Sequence, residues 1–205
     1  MLIPIHSDNP GPRQIKQVVE ILKAGGVIIY PTDTVYGLGC DIFNQKAVEK
    51  VARIKGVKPE KANFSIICSD LSHLSDFTRA INNNIFRLLK KCLPGPYTFI
   101  LPANNNLPGS FKNKKKTIGI RVPKHNIPLA IVQELGNPIL TTSIHDSDTI
   151  IDYTTDPQLI QENFGHLVDA VLDGGFGHNV PSTVLDCTTD EVILVRQGLG
   201  DVDFI

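Results

Sequence analysis

The chain lacks the features of several protein classes. No apolar stretch approaches the ~20 residues that a membrane-spanning helix needs. The N-terminus has no basic segment followed by a long apolar core, so no signal peptide is indicated. The cysteines lie far apart and form no C-x-x-C pair, which argues against a disulfide framework and a zinc site. We therefore expect a reduced, cytoplasmic setting.

Familiar catalytic and phosphate-binding motifs are also missing. There is no G-x-x-x-x-G-K-[ST] and no G-x-G-x-x-G, so neither common glycine loop would hold a phosphate. There is no G-x-S-x-G and no H-E-x-x-H. Ser143, His145 and Asp146 have the residue types of a hydrolase triad, but triad members normally come from separate elements. A triad hydrolase is disfavoured.

Length, composition and charge favour a globular protein with a positive surface. The chain has 205 residues, of which 41% are hydrophobic and 20% charged, and no composition shift marks a linker. We predict a single domain over residues 1–205. Residues 41–124 hold 16 of the 20 Lys and Arg but 5 of the 21 Asp and Glu, a balance of +11. This block favours an anionic ligand, and the alternative is a solvated face that serves solubility.

Hydrophobic periodicity predicts an α/β protein around a mixed sheet. Helices and strands alternate through most of the chain, and the last strands follow each other closely. Predicted helices lie between Pro12 and Gly25, over 45–55 with Asn44 as cap, over 85–92, near 127–135 and near 157–164. Predicted strands cover 27–30, 37–40, 64–68, 97–101, 117–122, 139–142, 168–172, 182–186 and 192–196.

Polar side chains stand where several predicted strands begin or end. The segment 25–40 runs from an apolar strand into Pro31 and four polar residues, Thr32, Asp33, Thr34 and Tyr36. Arg121 directly follows an apolar run. Hydroxyl groups mark the strand ends near 141–143 and 182–183, and an arginine closes the last long strand. Together these groups predict a cationic, hydroxyl-lined pocket for a polyanionic ligand. The alternatives are a hairpin turn and strand-edge caps whose polar groups bind no ligand.

The same segments, in this order, resemble the YrdC-like family of threonylcarbamoyl-AMP synthases. The matching stretches are 25–39 (GGVIIYPTDTVYGLG), 93–101 (LPGPYTFIL), 118–123 (IGIRVP), 138–143 (PILTTS), 181–186 (PSTVLD) and 195–198 (VRQG). The likeness covers roughly residues 12 to 200. It implies a YrdC-like twisted mixed sheet with flanking helices and a concave, positively charged cavity.

The resemblance also implies an activity and a set of site residues. L-threonine, bicarbonate and ATP would give threonylcarbamoyl-AMP and pyrophosphate with the help of Mg²⁺, and transfer proteins would use the adenylate to modify tRNA. Thr32, Tyr36 and Arg121 would bind threonine, with Arg121 on its carboxylate. The residues facing the nucleotide would be Lys55, Lys58, Thr141, Ser143, Ser182 and Arg196. Among all of these, Lys55, Arg121 and Ser143 would be catalytic.

Three departures from the synthase pattern place the chain nearer the YciO-type branch of the family. Lys55-Gly56-Val57 stands where the synthases have Lys-x-Arg, and Ser143-Ile144-His145 stands where they have Ser-x-Asn. The stretch 63–68 (NFSIIC) stands where they have Asn-Pro-Leu-x-x-His. Two alternatives therefore stay open. One is binding of double-stranded RNA, in which residues 112–116 would contact phosphates. The other is action on a different acyl adenylate, with His145 and Cys68 reshaping the pocket.

Overall fold

The computed structural model describes residues 1–59, 62–109, 116–144 and 154–203. The helices in this part are α1 (Pro12–Lys23), α2 (Gln45–Ile54), α3 (Leu71–Ser75), α4 (Asn83–Cys92), α5 (Asn126–Leu135) and α6 (Pro157–Phe164). The strands are β1 (Leu2–Pro4), β2 (Ile28–Tyr30), β3 (Gly37–Gly39), β4 (Ser65–Ile67), β5 (Tyr97–Pro102), β6 (Thr117–Arg121), β7 (Ile139–Ser143), β8 (Ala170–Asp173), β9 (Thr183–Asp186) and β10 (Ile193–Arg196).

The predicted helices are confirmed, and their ends follow from local chemistry. Pro12 opens α1, where its missing N–H costs no hydrogen bond. Asn44 caps α2, since its side chain accepts a hydrogen bond from the N–H of Ala47. Asn82 caps α4 in the same way. Gly136 ends α5 in the left-handed conformation, with φ of 77°.

Two short elements were not predicted. The strand β1 has three residues, too few for an alternating pattern to appear, and it pairs with β8 in parallel. The helix α3 has five residues, and the Asp70 side chain caps it by accepting from the N–H of His73. Within the described ranges, no helix is both long enough and apolar enough to cross a membrane.

The strands form one mixed sheet of ten strands in the described part of the chain, in the order β1-β8-β2-β3-β7-β4-β6-β5-β9-β10. Parallel pairs are β1–β8, β2–β8, β4–β6 and β5–β9. Antiparallel pairs are β2–β3, β3–β7, β4–β7, β5–β6 and β9–β10. The predicted mixed sheet is therefore confirmed.

Helices cover the two faces of this sheet unequally. On one face, α2 and α4 pack against apolar residues of the central strands, including Ile66, Phe99 and Ile120. On the other face, α1 and α5 pack over β2, β7 and β8, with Tyr30 and Ile139 in that cluster. This second apolar cluster contains no residue of β5, β6 or β9, and those strands carry polar side chains on that face. The candidate site lies there.

Candidate functional site

A cavity of about 1240 Å³ lies on this less covered face of the sheet. Its floor is built from alternate residues of five strands, because successive side chains of a strand point to opposite faces. The floor residues are Ser65, Thr98, Ile100, Thr117, Gly119, Thr141, Ser143, Val184 and Asp186, and Arg121, the next alternate residue of β6, stands in the adjoining wall. Intervening residues such as Phe99 and Ile120 are fully buried in the core behind the sheet.

The strand register aligns five floor residues in one row across the sheet. Asp186 pairs with Ile100, Ile100 with Gly119, Gly119 with Ser65, and Ser65 with Thr141. Four interstrand spacings of about 4.8 Å make this row about 19 Å long. The cavity is therefore elongated across the strands, with a carboxylate at one end and a hydroxyl at the other.

The turn between β2 and β3 forms one wall. Thr32 is buried, and its hydroxyl donates to the carbonyl of Val35 (2.8 Å) and accepts from the N–H of Thr34 (3.0 Å). Thr32 is not among the described residues that line the cavity, whereas Thr34 and Tyr36 are. The Tyr36 hydroxyl donates to the carbonyl of Gly175 (2.7 Å). Burial raises the pKa of Tyr36, so this hydroxyl keeps its proton at neutral pH.

Arg121 lies at the end of β6 and lines the cavity beside the turn between β2 and β3. It is 6% exposed, and its Nη2 donates to Asp33 Oδ1 (2.7 Å) and Thr34 Oγ1 (3.0 Å). The second Asp33 oxygen accepts from the backbone N–H of Lys124 (2.9 Å). Burial lowers the pKa of Arg121 and the Asp33 carboxylate opposes that shift, so the guanidinium stays charged. Arg121 is therefore in the cavity wall, as expected, with a carboxylate partner that the sequence pattern did not indicate.

The opposite wall holds Ser182 and Arg196. Ser182 Oγ lies 2.8 Å from Thr98 Oγ1, a hydrogen bond between neighbouring strands. Arg196 donates from Nε (3.2 Å) and Nη2 (2.8 Å) to the Ser182 carbonyl. Arg196 itself is solvent-exposed. The three side chains thus form a hydrogen-bonded group on the cavity wall.

The two predicted lysines lie beside the cavity and not on its described lining. Lys55 follows α2 as its C-terminal cap and is 9% exposed. Its ammonium donates to the carbonyl of Ser143 (2.8 Å), which fixes the end of β7 to the end of the helix. Lys58 is exposed. Thr141 and Ser143 lie on the cavity floor.

Several other predicted residues fall elsewhere. His145, Asp146 and residues 112–115 are outside the described residues. Val57 is 40% exposed just after α2. Cys68 is fully buried in the main core and is not among the described cavity-lining residues. Burial raises the pKa of its thiol. Cys68 therefore contributes no surface to the described cavity.

The described side chains do not fit a metal ion held by protein groups alone. No cluster of three or more His, Cys, Asp or Glu residues occurs in the described ranges. Asp186 is the one carboxylate among the described lining residues, and its Oδ1 accepts from the N–H and hydroxyl of Thr188. Mg²⁺ that arrives with nucleotide phosphates needs one or two protein carboxylates. The donor set therefore fits Mg²⁺ only as part of a nucleotide complex.

Sequence reasoning missed part of the floor, namely Ser65, Thr98, Thr117, Gly119 and Asp186. A signal for them exists in the alternation of polar or small residues with buried apolar ones. In β6, Thr117, Gly119 and Arg121 line the cavity, while Ile118 and Ile120 between them are buried in the main core. Such period-two polarity, repeated in neighbouring strands, predicts a shared polar face.

Comparison with known proteins gives one family. The family model of Sua5, YciO and YrdC, described as “Telomere recombination”, matches residues 20–198. The chain is 43% identical to Escherichia coli YciO over 200 residues, covering 97% of this chain and 95% of that protein. It is 31% identical to the threonylcarbamoyl-AMP synthase of Coxiella burnetii over 182 residues, covering 88% and 96%.

Solved structures share the fold. The crystal structure of E. coli YciO superposes with a TM-score of 0.91 at 41% identity, covering 99% of this chain and 98% of that one. P. abyssi Sua5 complexed with L-threonine superposes with a TM-score of 0.86 at 26% identity. That match covers 97% of this chain but 57% of Sua5. The mixed α/β fold, with one twisted sheet and flanking helices, is common to all three proteins.

Proposed function

Because the chain belongs to the Sua5/YciO/YrdC family, we propose that it is a nucleotidyltransferase of the L-threonylcarbamoyladenylate synthase type. Its substrates are L-threonine, bicarbonate and ATP, and its products are threonylcarbamoyl-AMP, pyrophosphate and water. The adenylate serves threonylcarbamoyladenosine modification of tRNA through transfer proteins.

The observation that carries this proposal is the convergence of polar groups from separate strands on one elongated cavity. Arg121, Thr141, Ser143, Ser182 and Arg196 come from β6, β7, β10 and the start of β9, and all line it. The row of about 19 Å across the floor is long enough for a nucleotide joined to an acyl group. Hydroxyls and guanidinium groups are suitable donors for phosphate and carboxylate oxygens.

The threonine side of the cavity is the wall that contains Tyr36 and Arg121. Arg121 binds the threonine carboxylate, since hydrogen bonds between a charged guanidinium and a carboxylate are stronger than neutral ones. Tyr36 lines the cavity on the same side. Thr32 acts through the turn, because its hydroxyl hydrogen bonds hold the backbone that presents Thr34 and Tyr36. The L-threonine complex of P. abyssi Sua5 supports an amino-acid site in this family.

The nucleotide side contains Thr141, Ser143, Ser182 and Arg196, with Lys55 and Lys58 beside it. The threonine nitrogen attacks bicarbonate, and loss of water gives a carbamate. A carbamate oxygen then forms a bond to the α-phosphorus while the bond from that phosphorus to the bridging oxygen breaks. Pyrophosphate leaves with the electron pair. Fixed positive charge and hydroxyl donors stabilise the negative charge that accumulates on the phosphates.

Mg²⁺ is proposed to enter with ATP, where it would neutralise charge on the departing pyrophosphate and take Asp186 as its described protein carboxylate. The side chains that line the cavity hold the carbamate near the α-phosphorus and exclude water from it. Lys55 contributes indirectly, since its ammonium fixes the end of β7 on which Ser143 stands.

Direct detection of the adenylate tests the proposal. The protein is incubated with threonine, bicarbonate, ATP and magnesium, and threonylcarbamoyl-AMP is sought by mass spectrometry. Arg196→Ala should slow its formation on the order of 10²-fold, because a donor to developing charge is lost. Arg87→Ala, at an exposed arginine of α4, removes the same charge away from the cavity and should leave the rate unchanged. Absence of product from the wild type, or equal losses in both variants, would contradict the proposal.

RNA binding is the alternative that the lysine-rich segment favours. Of residues 112–116, Lys116 is described and exposed, and 112–115 lie outside the described residues. Binding through phosphate contacts requires a steep fall in affinity with rising salt. Double-stranded RNA retained at low salt and released at moderate salt, without adenylate formation, would favour this alternative over the synthase.

A further inference from the structure

The ion pair between Arg121 and Asp33 joins two segments that are far apart in sequence. Arg121 ends β6, and Asp33 lies in the turn after β2, 88 positions away. Their side chains are 8% and 9% exposed, and the N–O distance is 2.7 Å. The carboxylate also accepts from the backbone N–H of Lys124, so both of its oxygens are engaged. One buried carboxylate therefore holds the arginine and the chain that follows it.

We propose that Asp33 is a positioning residue that fixes the Arg121 guanidinium for the amino-acid carboxylate of the substrate. The inference rests on the proposed function of this cavity. An arginine side chain has many rotamers, and holding it in one of them before the ligand arrives reduces the entropy lost on binding. Asp33 and Thr34 each accept from Nη2, so the position of that nitrogen is set by two separate contacts.

Asp33 also sets the charge of this wall. A guanidinium already paired with a buried carboxylate presents no net charge, so the pair favours a ligand through hydrogen-bond geometry more than through attraction at a distance. Arg121 Nε is enclosed by the protein and has no partner among the described residues, so the side chain is held through Nη2 alone.

The chain offers a matched control in Asp169. This carboxylate also accepts from a cationic side chain, Lys50 (2.8 Å), and from a backbone N–H, that of Val27 (2.7 Å). Lys50 and Asp169 are not among the described residues that line the cavity. Asp33→Asn and Asp169→Asn therefore remove the same kinds of contact at the candidate site and away from it.

Asparagine at position 33 keeps the size of the side chain but loses its charge and one acceptor. Its amide NH₂ would face either the Arg121 or the Lys124 donor, so one of the two contacts must fail. Asp33→Asn should raise KM for threonine by about tenfold while changing kcat by less than about threefold, since a binding interaction is weakened. KM for ATP should stay within about twofold, and Asp169→Asn should change neither KM.

A ligand-free measurement separates this inference from the proposed function. The protein is 22.5 kDa, which suits ¹H–¹⁵N NMR of arginine side chains. In the wild type the Arg121 Nε–H signal should show a rigid side chain, and in Asp33→Asn the same signal should show fast motion. If Asp33→Asn unfolds, Thr34→Val replaces it, because that change removes the second acceptor of Nη2 together with the hydroxyl contact to Thr32.

The outcomes are distinct. A threonine KM that rises in Asp33→Asn but not in Asp169→Asn, together with a mobile Arg121, supports the positioning role. An Arg121 signal that is equally rigid in both proteins overturns it, and so does an equal rise of KM in the two variants. If the wild type forms no adenylate, the proposed function is overturned, and the NMR comparison still decides whether Asp33 positions Arg121.

Discussion

Gly119 of β6 and Ser65 of β4 lie side by side on the cavity floor. These residues are register partners in the parallel pair of strands. A methyl group added to Gly119 would lie 2.3 Å from Ser65 Oγ and 3.4 Å from Thr98 Cγ2. The first distance is far below van der Waals contact, so Ser65 must move. The space beside Gly119 is therefore limited by Ser65, and Gly119→Ala tests how far that neighbour can yield.

Two opposing effects set the size of the change. Alanine reduces the freedom of the unfolded chain, which stabilises the protein by about 0.4–1 kcal/mol where the backbone accepts it. Overpacking against Ser65 costs about 1–3 kcal/mol. We expect Gly119→Ala to lower the free energy of unfolding by about 1 kcal/mol. In the double variant with Ser65→Gly the overpacking disappears, so the coupling between the two sites should be about 1–2 kcal/mol.

Equilibrium unfolding in urea, followed by circular dichroism, measures all four proteins of this double-mutant cycle. A coupling below about 0.5 kcal/mol would show that the Ser65 hydroxyl rotates away freely, and the argument for a tightly packed floor would then be wrong. The cycle needs no ligand, so it tests the geometry of the cavity whatever the reaction is.

Two further predictions concern stability. Burial lowers the pKa of His125 from its usual 6.5 while Asp33 opposes the shift, so the unfolded chain takes up a proton first and stability falls as pH drops below about 6.5. His125→Asn keeps a capping side chain for α5 and should reduce this pH dependence. A variant whose stability depends on pH as steeply as that of the wild type, measured by urea titrations, would contradict the prediction. Asn44→Ala removes the acceptor for the Ala47 N–H and should cost about 1 kcal/mol in urea unfolding, against less than about 0.5 kcal/mol for exposed Asn83→Ala. Equal losses would refute the capping role.

Most of the fold could be predicted because its elements carry local signals. Helix α1 has four apolar residues at helical spacing between a proline and two glycines, and the structure buries those four. Strand β1 and helix α3 have no such signal, since three and five residues are too few to establish a period. Strand β1 depends on its pairing with β8, which is distant in the sequence. Helix α3 depends on a cap from a single side chain, that of Asp70.

The candidate site was less accessible to sequence reasoning. A strand ending in Arg121 indicates an arginine near a sheet rim, but its partner Asp33 is 88 positions away and depends on how β2 and β6 are placed in the sheet. Thr32 and Tyr36 are both polar residues in the segment that follows β2, so the sequence gives no reason to assign them different roles. In the structure the Thr32 hydroxyl binds within its own turn and Tyr36 reaches Gly175, a distinction that only the three-dimensional arrangement makes.

Polar residues on one face of a sheet do not by themselves indicate a ligand, since many antiparallel sheets simply face water. The face of β5, β6 and β9 differs in two ways. Thr98, Arg121 and Ser182 are each no more than 7% exposed although they line a cavity, so they are withdrawn from bulk solvent. A charged group placed there has a desolvation cost, and the buried carboxylate of Asp33 is needed to offset it. A face that only kept the protein soluble would have no reason to bury an arginine with its partner. The burial therefore favours a binding surface, in agreement with the role proposed for Arg121.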